Sequence, residues 1–260
     1  MSINPSVTVI IPYKNNLKHF PSTLNSVFRQ TYKNFKILII YDDVNKSDLY
    51  NIKKFINNKK KIIKNFPNIK FVINNKNLGA GYSRNKGIKK SNTKYIAFLD
   101  SDDLWAKNKL RNQISYMEKN NQVFSHTSYF IINNKNRVIS IREAKPKITF
   151  DELLKSCDIG LSTVILRLSF IKKNNYYFPK INTKEDFVLW LNIARNLKII
   201  KGINKKLTYY RKTDRSLSSN KFTSLINGYK VYRNYMRYSK LNAIYHLIIL
   251  SLNYLKKNLK

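Results

Sequence analysis

The sequence holds a single cysteine, Cys157, in 260 residues. A lone thiol excludes an intramolecular disulfide and any paired-cysteine metal site, and it fits a reducing, cytoplasmic compartment. Glycine is sparse too. Gly79 and Gly81 form a G-x-G, but no strand runs directly into it and no third glycine has dinucleotide spacing, which argues against a nicotinamide enzyme. His19, His126 and His246 are scattered without ligand spacing, so a histidine metal site is not expected. Long apolar runs are missing as well. The opening MSINPSVTVIIPYK has no basic segment before its apolar residues, and Pro12 ends them; residues 243–255 contain His246 and Asn253. Neither stretch reads as a signal peptide or a membrane span.

Carboxylates are the scarcest resource. Fourteen Asp and Glu stand against 50 Lys and Arg, a formal charge of +36. The excess points to an anionic partner: nucleic acid, a lipid surface or phosphorylated substrates. Lysine is also abundant alongside asparagine, isoleucine and tyrosine, whose codons are AT-rich, so part of the excess is compositional bias. The acids themselves are informative. Asp42, Asp43, Asp48, Asp100, Asp102, Asp103, Glu185 and Asp186 make up eight of the 14, and all but Asp48 fall in three tight clusters. Adjacent carboxylates repel unless a cation, a proton or a donor intervenes. Such clusters mark a site.

With a hydrophobic fraction of 43% and an aromatic fraction of 13%, the chain has material for a substantial core. Residues 7–11 (VTVII), 37–41 (ILIIY), 70–73 and 95–99 (YIAFL) predict strands, the apolar ones buried on both faces. Helical periodicity separates them at about 17–28, 46–63, 80–90 and 107–119. This alternation predicts a mostly parallel, doubly wound α/β sheet. Beyond about residue 120 the pattern changes. Residues 123–132 and 137–141 flank a turn and predict an antiparallel hairpin. Short helices follow at 151–156 and 184–196, with strands at 162–166 and 206–210. The organisation expected is a catalytic domain over residues 1–220 and a basic amphipathic helical tail over 221–260.

In open parallel sheets ligands bind beyond the carboxyl ends of the strands. Asp42 and Asp43 directly follow one strand and Asp100 to Asp103 another, so both clusters are expected on one rim. Asp103 is also a candidate cap for the helix that follows Trp105. Asp100 and Asp102, one residue apart, can hold a divalent cation that bridges phosphate oxygens.

At this point the residues match a family. VIIPYKNN (9–16), IIYDD (39–43), NLGAGYSRNKG (77–87) and FLDSDDLW (98–105), followed by KEDFVLWL (184–191) and YYRKTDRSLS (209–218), resemble family 2 glycosyltransferases of the GT-A fold. The resemblance implies inverting transfer of a sugar from a nucleotide-sugar donor, with UDP favoured, to a glycan or lipid-linked acceptor in bacterial surface-glycan assembly. It implies that Pro12 and Tyr13 line the nucleobase pocket, with Asp43 and Asp42 bonding uracil or ribose. Arg84, Asp100 and Arg211 would face the nucleotide. Asp102, with Asp100, would ligate Mn2+ or Mg2+, and Asp186 would be the catalytic base, with Glu185 the next candidate. One position departs from the pattern: Thr213 stands where the family often has a metal-binding histidine, so Lys212, Arg211 and Arg215 are candidates to supply the missing charge. The chemistry requires a base in any case, because a sugar hydroxyl must lose its proton as the new bond forms.

The competing readings are a basic nucleic-acid-binding protein and a non-catalytic membrane-associated scaffold. No zinc finger, RNP-type segment or helix-turn-helix is present, and carboxylate clusters would repel phosphate, so no nucleic-acid partner is expected. The tail contains Lys221, Lys230, Arg233, Arg237, Lys240, Lys256, Lys257 and Lys260 and no acid. Its apolar residues are expected to lie on an anionic membrane surface at the inner face of the cytoplasmic membrane, or to pack on the catalytic domain or in a homodimer.

Overall fold

The computed structural model describes residues 5–213 and 221–258. β1 (Val7–Tyr13) is buried at every position, and β2 (Phe35–Tyr41) at every position but Lys36. Successive side chains of a strand point to opposite faces, so an unbroken apolar run needs cover on both. The chain supplies it. Val7, Val9, Ile11 and Tyr13 join a core with α1 (Phe20–Phe28), α2 (Ser47–Ile62) and α4 (Lys109–Lys119). Ile10, with Leu38 and Ile40 of β2, enters a second core with Ile88 of α3 (Ala80–Lys90) and with α7 (Glu185–Leu197).

β1 pairs in parallel with β2 and with β4 (Tyr95–Phe98), and β3 (Asn68–Ile73) completes that edge beyond β2. The sheet then turns mixed. β9 (Ile165–Arg167) runs antiparallel between β4 and β6 (Phe124–Ile132), and β10 (Ile199–Arg211) lies parallel to β6. β5 (Leu104–Trp105) and β8 (Lys147–Thr149) pair antiparallel with β10, and β7 (Val138–Arg142) forms the expected hairpin with β6.

Two strand expectations need correction. The strand predicted at 206–210 begins at Ile199; register shifts around Lys206 and an exposed polar stretch break its alternation, which hid its first half. The strand predicted from 162 starts at Ile165, because Leu161–Thr163 form a 3-10 turn. α5 (Phe150–Lys155) opens with a complete capping box between Thr149 and Glu152, and α6 (Leu168–Lys173) was not expected.

The C-terminal segment forms α8 (Lys221–Lys230), a π-helical turn (Val231–Tyr235) and α9 (Lys240–Asn258). Val231, Tyr232, Met236, Ala243 and Leu250 are buried in the same core as Phe187 and Trp190 of α7. Among the described residues no helix is long and apolar enough to cross a membrane.

Candidate active site

The parallel register brings the ends of β1, β2 and β4 to one rim, with Tyr13 opposite Tyr41 and Phe98 opposite Ile10. The sequence-predicted residues there divide sharply in role. Tyr13 is 1% exposed, stacks on Tyr41 at 5.2 Å and donates its hydroxyl to Asp48 at 2.5 Å. Burial pushes its phenol far above the ordinary range. Pro12 is buried beside it. Both therefore shape the rim from beneath, and neither ring lies open to a base. Asp42 is likewise not free to bind a nucleotide. Its carboxylate accepts from Asn74 Nδ2 at 2.8 Å, Leu78 N at 2.9 Å and Gly79 N at 2.8 Å, which ties down the loop entering α3. Gly79 takes φ +87° at that junction, a conformation glycine adopts without strain. Asp43 is half-buried on the rim and accepts from Asn15 N at 3.0 Å and Asn45 N at 3.1 Å.

The second cluster follows β4. Asp103 does not cap α4, whose N-cap is Asn108. It is buried, accepts from Ser162 Oγ at 2.6 Å and from Arg211 N at 2.8 Å, and burial with the charges of Asp102 and Asp100 raises its pKa well above the carboxylate range. Ser162 also receives Asp100 N at 3.0 Å, so the 3-10 turn fixes both ends of the acidic loop. Sequence reading missed Ser162, because its partners lie about sixty residues away along the chain. Arg211 is not free to meet a nucleotide either. It is 2% exposed and spends its guanidinium on the Asp102 and Asn133 carbonyls and on Asn136 Oδ1 at 2.7 to 2.9 Å. It anchors the loop rather than facing it. Lys212 is exposed and Thr213 half-buried; Arg215 lies outside the described residues.

Arg84 joins this cluster to the third. Its Nη2 donates to Asp100 Oδ1 at 2.7 Å and its Nη1 to Glu185 Oε1 at 2.6 Å, while the guanidinium lies over Phe178 at 5.4 Å. The two carboxylates outweigh the burial penalty and raise its already high pKa. Gly81 makes room for the bridge, since a Cβ there would sit 3.2 Å from Glu185 Cγ. Next to Arg84, Asn85 exchanges two hydrogen bonds with the Phe178 backbone at 2.8 and 2.9 Å. The base candidates thus separate: Glu185 is engaged by Arg84, whereas the Asp186 carboxylate accepts only Phe187 N, at 2.8 Å, among the described residues. Burial and the charge of Glu185 push Asp186 up to about 7, against the opposing pull of Arg84. A carboxylate so placed is both available and basic.

Among the described residues no three His, Cys, Asp or Glu gather as a metal-binding group. What stands is a pair. Burial and the charge of Asp100 push Asp102 up to about 6, and Arg211 offsets this only in part. A divalent cation would relieve that repulsion, so the donor set fits Mn2+ or Mg2+ shared with substrate oxygens. Sequence reading also missed a pair of aromatics. Tyr129 and Tyr210 meet edge to face at 6.2 Å; the charges of Asp103 and Asp186 reach the first, and those of Asp100, Asp102 and Asp103 the second. Neither belongs to a recognisable motif, and only the pairing of β6 with β10 brings them together.

Comparison with known proteins identifies the family and the fold. The model of the glycosyl transferase family 2 matches residues 8–178. The chain is 36% identical over 244 residues to the UDP-Glc:alpha-D-GlcNAc-diphosphoundecaprenol beta-1,3-glucosyltransferase WfgD of Escherichia coli, covering 93% of this chain and 90% of that protein. It is 30% identical to the putative teichuronic acid biosynthesis glycosyltransferase TuaG of Bacillus subtilis, covering 98% of each. Among solved structures, S. aureus TarS 1-349 in complex with UDP-GlcNAc superposes with a TM-score of 0.67 at 20% identity, over 93% of this chain and 70% of that one. The mannosyltransferase PcManGT of Pyrobaculum calidifontis, bound to GDP-Man and Mn2+, gives 0.69 at 12% identity, over 95% and 70%. The fold is the GT-A fold.

Proposed function

Because the chain belongs to glycosyl transferase family 2, we propose that it transfers a hexose from a UDP-sugar, with inversion, to a hydroxyl of a lipid-linked glycan in bacterial surface-polysaccharide assembly. The Escherichia coli relative, matched along nearly its whole length and named for UDP-Glc and a GlcNAc-diphosphoundecaprenol acceptor, supports this donor and acceptor; the Bacillus subtilis relative supports the surface-polysaccharide setting. The observation that carries the mechanism is Asp186, a carboxylate raised to about 7 beside a partner already engaged by Arg84.

Asp186 takes the proton of the acceptor hydroxyl while that oxygen attacks the anomeric carbon, and the bond to the diphosphate oxygen breaks in the same step. One displacement from the face opposite the leaving group inverts the configuration, and no covalent glycosyl-enzyme forms. Asp102, with Asp100, would hold a divalent cation, which supplies Lewis-acid stabilisation of the departing diphosphate. Asp43 bonds the base or ribose from the rim. Tyr129 and Tyr210, half-buried and in edge-to-face contact, offer an aromatic wall to the acceptor. The reaction takes place at the cytoplasmic face of the membrane that carries the acceptor. The test is transfer from UDP-glucose to a short-chain GlcNAc-diphospho-lipid, with the product read by NMR. A β-linked product from the α-configured donor is expected; retained configuration would sink the single-displacement mechanism.

A further inference from the structure

The last helix has two apolar sides, and the fold covers one of them. Ala243 and Leu250 of α9 are buried in the core, and Leu247 packs against α8 at Gly228, where a Cβ would lie 2.7 Å from Leu247 Cδ1. On the opposite side Leu241, Ile244, Tyr245, Ile248, Leu252 and Leu255 recur at helical intervals. At 3.6 residues per turn all six fall within an arc of about 100°. Every one is exposed, from 46% at Ile244 to 80% at Leu241. A contiguous naked stripe of this kind marks an interaction surface rather than ordinary solvent-facing polarity.

Charge selects the occupant. Residues 221–260 carry eight Lys and Arg and no carboxylate. A second copy docked on this stripe would press like charge against like. An anionic surface would be attracted, and Lys240 and Lys256 stand exposed on the same helix to meet it. The stripe is flanked by lysines at both ends of the helix with no acid between them, and no helix among the described residues can span a bilayer. Those properties describe a helix that lies in the membrane interface. We infer that the outer face of α9 is a docking surface for an anionic lipid bilayer, with the Leu241–Leu255 stripe in the acyl boundary and the lysines among the headgroups. The inference rests on the lipid-linked acceptor for its purpose, because it brings the site to the plane where such an acceptor is anchored.

The test is co-sedimentation of the full chain with vesicles that contain no acceptor, either phosphatidylglycerol-rich or pure phosphatidylcholine. Wild type is expected to pellet with the anionic vesicles and much less with the neutral ones. The double variant Ile248→Glu, Leu252→Glu should bind at least about tenfold more weakly, with circular dichroism, Tm and UDP-glucose hydrolysis unchanged. Should the double variant fail to fold, Leu241→Gln at the most exposed position gives the milder loss. Absence of wild-type binding, equal binding to both lipids, or undiminished binding by the variants overturns the inference. So does a wild-type dimer in light scattering that the variants convert to monomer, which would make a second copy the occupant. A chain that binds vesicles but transfers no sugar to the lipid-linked acceptor sinks the acceptor reading alone.

Discussion

Arg84 stands between Asp100 at the end of β4 and Glu185 at the start of α7, with both ion pairs under 3 Å and its own side chain 5% exposed. Removing one member of a buried charge network leaves the others unpaired, at a cost of about 3–5 kcal/mol. Arg84→Ala is therefore expected to lower the unfolding free energy read from urea denaturation by that order, and a variant as stable as wild type would show the bridge to be energetically idle. Asp186 makes a different demand. Its pKa is raised by burial first and by Glu185 second. A base works only when ionised, so kcat should rise with pH through about 7, and Asp186→Asn should cost roughly 10²-fold or more with donor affinity retained. Glu185→Gln removes a charge that holds Asp186 up, so the midpoint of the kcat profile should move to lower pH; a profile that stays put would separate the two carboxylates. Stability carries the opposite sign. An acid whose folded pKa lies above its unfolded value weakens the fold as pH rises between the two. Asp186→Asn should thus be more stable than wild type at pH 8 and equal to it below about pH 4, in thermal melts across that range.

Helix α3 sets where Arg84 and Asn85 stand, and Gly87 sets how closely α3 approaches β1. A Cβ at Gly87 would lie 2.5 Å from Ile10 Cγ2, a methyl held in the core. Gly87→Ala must push the helix outward, and overpacking of this kind costs about 1–3 kcal/mol. A lowered Tm accompanied by a lower kcat is expected, and a drop in Tm alone would show that the bridge to α7 tolerates the shift. Elements of this first half were legible in the sequence because β1, β2 and β4 are buried on both faces and each helix on one, which leaves a periodic trace. β10 was half hidden, since its bulges around Lys206 break the period. The site was legible to the extent that carboxylates are rare in this chain. Their clustering located the rim, but it did not reveal that Asp42 and Asp103 are consumed by backbone and hydroxyl donors, or that Arg211 is an internal anchor. Those roles depend on partners such as Leu78, Gly79 and Ser162, which only folding brings near.

At the scale of the molecule, the two faces of the sheet are closed by different stretches of chain. α1, α2 and α4 cover one face, while α3, α5, α7 and the C-terminal helices share the other core. The tail is thus built into the body that holds Asp186. Tyr232 shows the connection: it is fully buried, donates its hydroxyl to Leu154 O at 2.7 Å, and meets Phe187 edge to face at 6.4 Å, one residue beyond Asp186. The inner side of the segment braces α7, and its outer side carries the exposed stripe. Substitutions on the two sides should therefore have unlike consequences. Tyr232→Ala empties a large buried volume and is expected to cost about 3–5 kcal/mol. Tyr232→Phe keeps the ring and loses the hydroxyl, leaving a buried carbonyl unpaired at about 1–3 kcal/mol. If the bracing matters to catalysis, kcat at temperatures well below the melt should fall for Tyr232→Ala, fall less for Tyr232→Phe, and stay at the wild-type value for Leu252→Glu. Steady-state kinetics beside a thermal melt of each variant would decide it. A Tyr232→Ala protein that loses stability but keeps its full kcat would show that α7 holds Asp186 in place without help from the tail.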